Sequence, residues 1–213
     1  PIGTMLKEDL SNWDSLEDSV PHYYGSNFPN SEISDFEYLK KIRALGGIVW
    51  FEFWRLPGWM KGPASKGKST LEIGKYTGAI LAYCRELERH TGRPPDVVGI
   101  QNELTQPAEA WHDMALGLRS ALDSSGFTDV KIHMADAGGL SKGVEFAKAF
   151  SSSSEVWNII DYSASHMYDY QDHFEKPDGF DPVLYRWADS TDQKPFLSTE
   201  LCINDPGWQV GSY

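Results

Sequence analysis

The chain has 213 residues, 40% of them from the set AVILMFWYC and 23% charged, and its 31 Asp and Glu against 19 Lys and Arg give a formal net charge of −12. One core of ordinary size fits this length at roughly 100–200 residues per domain, and the composition excludes a wholly disordered or collagen-like chain. The acidic balance without any basic run argues against nucleic acid and anionic membrane surfaces as partners, and no stretch approaches the roughly 20 apolar residues of a membrane span.

Residues 4–31 are polar, rich in turn formers and aromatics, and carry no sustained period, which predicts an elaborated loop. From Ser34 the apolar positions Phe36, Leu39, Ile42 and Leu45 recur at helical spacing and stop at Gly46-Gly47, a helix C-terminus signal. A strand is expected over Gly47–Phe53. The alternation then repeats: a helix over Thr70–His90 ending at Gly92, and a buried strand over Val97–Asn102. A helix over Pro107–Leu122 precedes a strand over Val130–Ala135. A helix over Ser141–Phe150 precedes a strand over Ile159–Ser165, and a short helix over Asp181–Ala188 leads to a last strand over Phe196–Thr199. Strands buried on both faces and reached through helices give a parallel sheet with right-handed crossovers. No linker or repeat divides residues 1–213, so one domain is expected.

Two parallel α/β folds compete for this pattern. An open nucleotide-binding sheet needs a glycine-rich turn between strand and helix, and neither GxGxxG nor GxxxxGK[ST] occurs. Instead, polar residues gather at the strand ends: Trp54-Arg55, Gln101-Asn102-Glu103, Asp136, Ser165-His166-Met167-Tyr168 and Thr199-Glu200. Chemistry shared among the C-terminal ends of several strands is the habit of the (β/α)₈ TIM barrel. Glu103 and Glu200 would then face one crater, and two carboxylates flanking one bond are what glycoside hydrolysis requires. The 8 Trp, 10 Tyr and 10 Phe exceed what a core of this size needs, and such rings stack on apolar sugar faces as well as on one another.

Several of these segments resemble those of one known group. Val98-Gly99-Ile100-Gln101-Asn102-Glu103 resembles the Asn-Glu motif at the end of the fourth barrel strand in clan A glycoside hydrolases. Ser198-Thr199-Glu200 is similar to that clan's seventh-strand nucleophile, and Ser165-His166-Met167-Tyr168 to its sixth-strand His-x-Tyr region. Trp54-Arg55-Leu56-Pro57-Gly58-Trp59-Met60-Lys61 is similar to the third-strand segment Trp-Ser-Pro-Pro-x-Trp-Met-Lys of family 30, which includes glucosylceramidases, β-1,6-glucanases and xylan-cleaving enzymes. Arg55 and Leu56 depart from that pattern. Pro1-Ile2-Gly3 is similar to the end of the family's second strand, so the resemblance implies a barrel present from about strand two to strand seven, the central part of a longer enzyme.

The resemblance further implies double displacement with retention at a β-O-glycosidic bond, while the aromatic residues favour a β-linked glucan, xylan or glucoside as the substrate. Glu200 would attack the anomeric carbon, and Glu103 would protonate the leaving oxygen and later deprotonate water. No cofactor or metal is implied, and localisation by resemblance is secreted or extracellular. Asn102 is expected to bond the sugar 2-hydroxyl, or else to cap the turn that follows its strand. Tyr168 is expected to donate to the Glu200 carboxylate, or else to fill the barrel mouth. His166 is either a site residue or a satisfied structural histidine. Trp54, Trp59 and Trp208 are candidate sugar platforms, Trp59 having a core role as its alternative. Glu52 reads as a buried structural carboxylate, and Cys84 and Cys202 as buried thiols or one long-range disulfide. Two rivals stand beside this reading. One is a metal-dependent barrel using His133, Asp136 and His166, although no His-x-His or His-Glu-x-x-His pair occurs; the other is a non-catalytic carbohydrate-binding barrel or fragment.

Overall fold

The computed structural model describes residues 35–53, 56, 60–61, 71–173 and 177–200. The loop expected over residues 4–31 lies outside them, as do Pro1-Ile2-Gly3, Trp54-Arg55, Pro57-Gly58-Trp59, Cys202 and Trp208. Helices and strands alternate along the described chain: α1 (Asp35–Ala44), β1 (Trp50–Phe51), α2 (Ile73–Thr91), β2 (Val97–Gly99), α3 (Ala108–Ser124), β3 (Lys131–His133), α4 (Leu140–Ser151), α5 (Ser154–Ile159), β4 (Ser163–Ser165), α6 (Asp181–Ser190) and β5 (Phe196–Ser198). Two 3₁₀ turns, Tyr168–His173 and Pro177–Phe180, lie between β4 and α6.

The pairing is parallel throughout. β1 pairs with β2 and β2 with β3, β4 pairs with β5, and a bridge between His133 and Tyr162 joins the two groups. The row β1-β2-β3-β4-β5 thus follows chain order, each step crossed by helical chain. The described residues form a mixed α/β fold with parallel strands, and no closed barrel is present among them. No helix among them is long and apolar enough to cross a membrane.

Helix packing follows from the apolar period. On α2, Tyr76, Ile80, Tyr83, Cys84 and Leu87 fall on one stripe and are buried, and the Tyr76 hydroxyl donates to the Ile100 carbonyl at 2.8 Å, tying helix to strand. Gly92 stops the helix in the left-handed region (φ 85°), where its N–H reaches Glu88 O at 2.8 Å. Cys84 is a buried free thiol whose acidity burial pushes up to about 12, so it is inert rather than nucleophilic. Between α3 and α4, Trp111 packs on Phe146 and Phe150 with centroids 4.6 and 5.2 Å apart, each pair adding about 0.5–1.5 kcal/mol beyond its buried area.

The N-terminal ends of the strands are held by carboxylates on neighbouring segments. Asp96 accepts from the Val49 N–H at 2.7 Å, and Asp161 from the Ile132 N–H at 2.9 Å. Buried Arg43 of α1 donates to Thr91 Oγ1 at 2.6 Å and to the Arg93 and Pro94 carbonyls, both at 2.5 Å. This edge therefore spends its polar groups on stability, leaving the opposite edge for chemistry.

The regular strands are shorter than expected. Regular pairing over Gly47–Phe53 is confined to Trp50–Phe51, and that over Ile159–Ser165 to Ser163–Ser165 after a single bridge at Tyr162, Ile159 being the last residue of α5. The Ser153 hydroxyl accepts from the Val156 N–H and caps that helix. Close approach between α4 and the sheet depends on Gly143, since a Cβ there would lie 2.5 Å from Trp187 Cζ3 and 2.9 Å from Ser165 Oγ. Gly143→Ala should therefore lower stability by about 1–3 kcal/mol, read from the shift of a chemical denaturation midpoint at unchanged slope.

Candidate active site

Backbone hydrogen bonds continue past the regular strands and carry the chemistry-bearing residues to one edge. Asn102 N donates to Phe53 O (3.0 Å), Asp136 N to Gln101 O (3.1 Å) and Glu103 N to Asp136 O (3.0 Å). His166 N donates to Ala137 O (2.8 Å), Thr199 N to Ser165 O (3.2 Å) and Met167 N to Glu200 O (3.0 Å). The fixed parallel register leaves these strand-end side chains no choice but to converge. Glu103 departs from the ladder with φ 47°, a left-handed conformation that costs a non-glycine residue energy and recurs at functional sites. Gly138 makes room for it: a Cβ there would sit 3.1 Å from Glu103 Oε1.

His166 is the centre of the arrangement. Its side chain is fully buried, with Nδ1 2.9 Å from Glu103 Oε1, and Nε2 3.4 Å from Asp136 Oδ2 and 3.7 Å from Glu200 Oε1. The two glutamates are open to solvent, with side chains 47% and 31% exposed, whereas the Asp136 side chain is 0% exposed. Tyr168 donates its hydroxyl proton to Glu200 Oε2 at 2.5 Å and packs its ring edge-on against His166, centroids 5.2 Å apart. Tyr168 thus contacts both the carboxylate and the imidazole.

Electrostatics follow from this packing. Burial lowers the basicity of His166, but Asp136, Glu200 and Glu103 outweigh burial and raise its pKa above the ordinary value. Burial opposes ionisation of Asp136 as well, yet His166, His133 and Thr199 overcome it and hold Asp136 below the usual carboxylate range. His133 is fully buried and its pKa is lowered by that burial; its Nδ1 faces the Met134 carbonyl at 2.6 Å, which fixes the neutral ring with the proton on Nδ1. Glu52 lies beside Asp136, and burial followed by the repulsion of Asp136 raises its pKa well above the ordinary carboxyl value.

Of the residues singled out in the sequence, Glu103, Glu200, Asn102, His166 and Tyr168 lie along this edge, while Trp54, Trp59 and Trp208 lie outside the described residues. Asn102 is buried, bridges Asp136 through the backbone, and has no hydrogen-bond partner at Oδ1 among the described residues. No group of three or more His, Cys, Asp or Glu among the described residues is arranged to hold a metal ion. Asp136 Oδ2 lies 3.4 Å from His166 Nε2, and His133 Nε2 faces Glu52, 3.9 Å from its Oε2. Sequence reasoning missed the structural reach of Asp136 and the role of Gly138. Asp136 ends a strand as the other site residues do; the adjacent Gly138-Gly139 was the overlooked signal of close approach.

A parallel α/β scaffold with its polar residues converging at the C-terminal strand edge is the class that these features define. No family model and no curated protein sequence matches the chain. Solved structures do. SrfJ from Salmonella typhimurium superposes with a TM-score of 0.64 at 18% identity, over 93% of this chain and 45% of that one. A GH30 endoxylanase from Clostridium papyrosolvens C71 superposes with a TM-score of 0.53 at 14% identity, over 84% of this chain and 46% of that one. The chain therefore spans a little under half the length of each, and the likeness is one of fold, to proteins of the TIM-barrel type.

The raised pKa of His166 has a definite consequence for stability. The folded state binds this proton more tightly than the unfolded chain, so the contribution is fully present below the ordinary histidine pKa of about 6.5 and is lost as pH rises through the raised folded value. Nitrogen-detected NMR titration should find His166 still protonated where an exposed histidine is neutral, and His133 neutral well below that pH. In His166→Gln, the decline of melting temperature over the same window should become shallower.

Proposed function

We propose that the chain carries the catalytic site of a retaining glycoside hydrolase acting on β-O-glycosidic bonds, with Glu103 as acid/base and Glu200 as nucleophile. The observation that supports this most directly is that Glu103 and Glu200, from the ends of β2 and β5, contact opposite nitrogens of one buried imidazole. Two partly exposed carboxylates held toward a common point are what displacement at an anomeric carbon requires. The fold likeness to a GH30 endoxylanase supports the same class.

Each half of the reaction is assigned a group. Tyr168 donates to Glu200 Oε2, which leaves Oε1 as the attacking atom. Attack forms the bond from Glu200 to the anomeric carbon as the bond to the leaving oxygen breaks, and the proton on Glu103 passes to that oxygen. In the second step water attacks the same carbon, Glu103 takes its proton, and the Glu200 ester is released. His166 suits both steps. With Nε2–H directed at ionised Asp136, a neutral ring offers a bare Nδ1 to protonated Glu103, and a charged ring offers Nδ1–H to ionised Glu103 across the same 2.9 Å contact. Asn102, whose buried Oδ1 has no hydrogen-bond partner among the described residues, is the residue we assign to a sugar hydroxyl. The substrate is a carbohydrate: a β-glucan, a xylan or a β-glucoside, with Trp54, Trp59 and Trp208 as proposed stacking surfaces.

A screen of aryl β-glycosides and polysaccharides, xylan first, with product anomers followed by NMR, should show initial release of the β-anomer; initial release of the α-anomer would overturn double displacement. A 2-fluoro glycoside should label the peptide containing Glu200, and azide should partly restore turnover to Glu200→Gly. Glu103→Gln should lose about 10²–10⁴-fold in kcat on substrates with poor leaving groups, and far less where the leaving group needs no proton. Tyr168→Phe should lower kcat more than it raises KM, because its hydroxyl touches the nucleophile.

A further inference from the structure

The buried part of the site holds a carboxyl that the proposed chemistry leaves unused. Glu52 follows β1, its side chain is 7% exposed, and its Oε2 has no hydrogen-bond partner among the described residues. The titratable groups that face it come from the neighbouring strand ends and from α2: Asp136 and His133 after and within β3, Glu103 after β2, Glu200 after β5, and Tyr76. His166 lies beyond Asp136. Tyr76 gives its proton to the Ile100 carbonyl, so it is committed elsewhere.

Ionised carboxylates are acceptors only, and two of them side by side in a buried space repel unless one proton lies between them. Neither oxygen of Asp136 finds a well-formed hydrogen bond among the described residues, nor does Glu52 Oε2. The surroundings decide which carboxyl keeps the proton. Asp136 has the imidazole of His166 at 3.4 Å, a cation when protonated, whereas Glu52 has only other acids and the uncharged His133. His133 spends its Nδ1–H on the Met134 carbonyl and turns a bare Nε2 toward Glu52 Oε2, 3.9 Å away. That separation is too long for a hydrogen bond, and the uncharged ring supplies no cation to hold Glu52 ionised. Gly99 leaves room for Glu52 and His133 side by side, because a Cβ there would lie 2.2 Å from His133 Nε2 and 2.8 Å from Glu52 Cβ.

We propose that Glu52 remains protonated in the folded protein as the hydrogen donor of a buried carboxyl pair with Asp136, and that it is a positioning residue for the site above it. With the negative charge of the pair left on Asp136, the imidazole of His166 is drawn to one place, where its other contacts are Glu103 and Glu200. Were Glu52 ionised, a second anion would compete for His166 and add to the repulsion at both glutamates. The raised pKa of Glu52, caused first by burial and then by Asp136, agrees with this assignment. The link to Glu103 and Glu200 rests on the glycosidase reading; the protonation of Glu52 does not.

The test compares the full chain with Glu52→Gln, a neutral isostere that still donates, and Glu52→Leu, which is neutral and donates nothing. The infrared difference between wild type and Glu52→Gln at neutral pH should show a protonated carboxyl C=O band assigned to Glu52; a difference made only of ionised carboxylate bands overturns the proposal, whether or not the chain hydrolyses any glycoside. The folded state holds this proton where the unfolded chain has lost it, so wild type should lose melting temperature relative to Glu52→Gln as pH rises above about 4.3. Positioning is read at His166 by NMR: Glu52→Leu should shift its titration and Glu52→Gln should not. In turnover, Glu52→Leu should lose about tenfold in kcat with KM unmoved, and Gln should restore most of it. An equal loss in both variants, a loss confined to KM, or a His166 titration indifferent to Leu would sink the positioning role. If Leu does not fold, the infrared and melting comparisons with Gln still decide the protonation, and a His166 titration displaced in Gln decides against positioning.

Discussion

The site depends on a parallel hydrogen-bond ladder that runs beyond its own regular strands. Each strand is only two or three residues long by its pairing, yet backbone bonds reach onward from Phe53 to Asn102, from Gln101 to Asp136, from Ala137 to His166 and from Ser165 to Thr199. In a parallel register the C-terminal ends all point the same way, so residues far apart in sequence arrive at one edge together. A slip of one residue in any pair would turn the convergent side chains to the opposite face.

At that edge, burial is unevenly distributed, and the unevenness sorts the acids by task. Glu103 and Glu200 stand partly in solvent, where a substrate can reach them; Asp136, His166 and His133 are fully enclosed, and Glu52 nearly so. Enclosed charges cannot be left unpaired, so the lower layer settles into complementary neighbours: a basic His166 on an acidic Asp136, a neutral His133 against Glu52. The upper layer then inherits fixed geometry from the lower one. Glycines set the clearances, Gly99 beneath His133 and Gly138 beside Glu103, because any side chain there would occupy the space that the polar groups need.

Much of this scaffold could be read from residue order. Apolar stripes such as Tyr76, Ile80, Tyr83 and Leu87 marked the helices, Gly46 and Gly92 their ends, and short apolar runs the strands between them. Strand lengths were not legible, since a segment such as Ile159–Ser165 carries no marker for where pairing begins, and its first residue closes α5. The polar strand-end residues were visible one at a time. The choice between a site residue and a structural histidine at His166 stays open in the sequence, because a lone histidine says nothing of what faces it; in the fold it touches three carboxylates.

The sequence by itself determined the parallel alternation, the helix limits and the residues that end each strand, because these follow from local periodicity, capping and turn chemistry. Only the tertiary structure decided which of those residues share a charge or a proton. That depends on distances across strands and on exclusion of water, and neither is encoded in spacing along the chain. Glu52 shows the difference. In the sequence it is an acid interrupting an apolar strand; in the fold it is a buried carboxyl set against Asp136 and His133, beneath the two glutamates at the surface of the site.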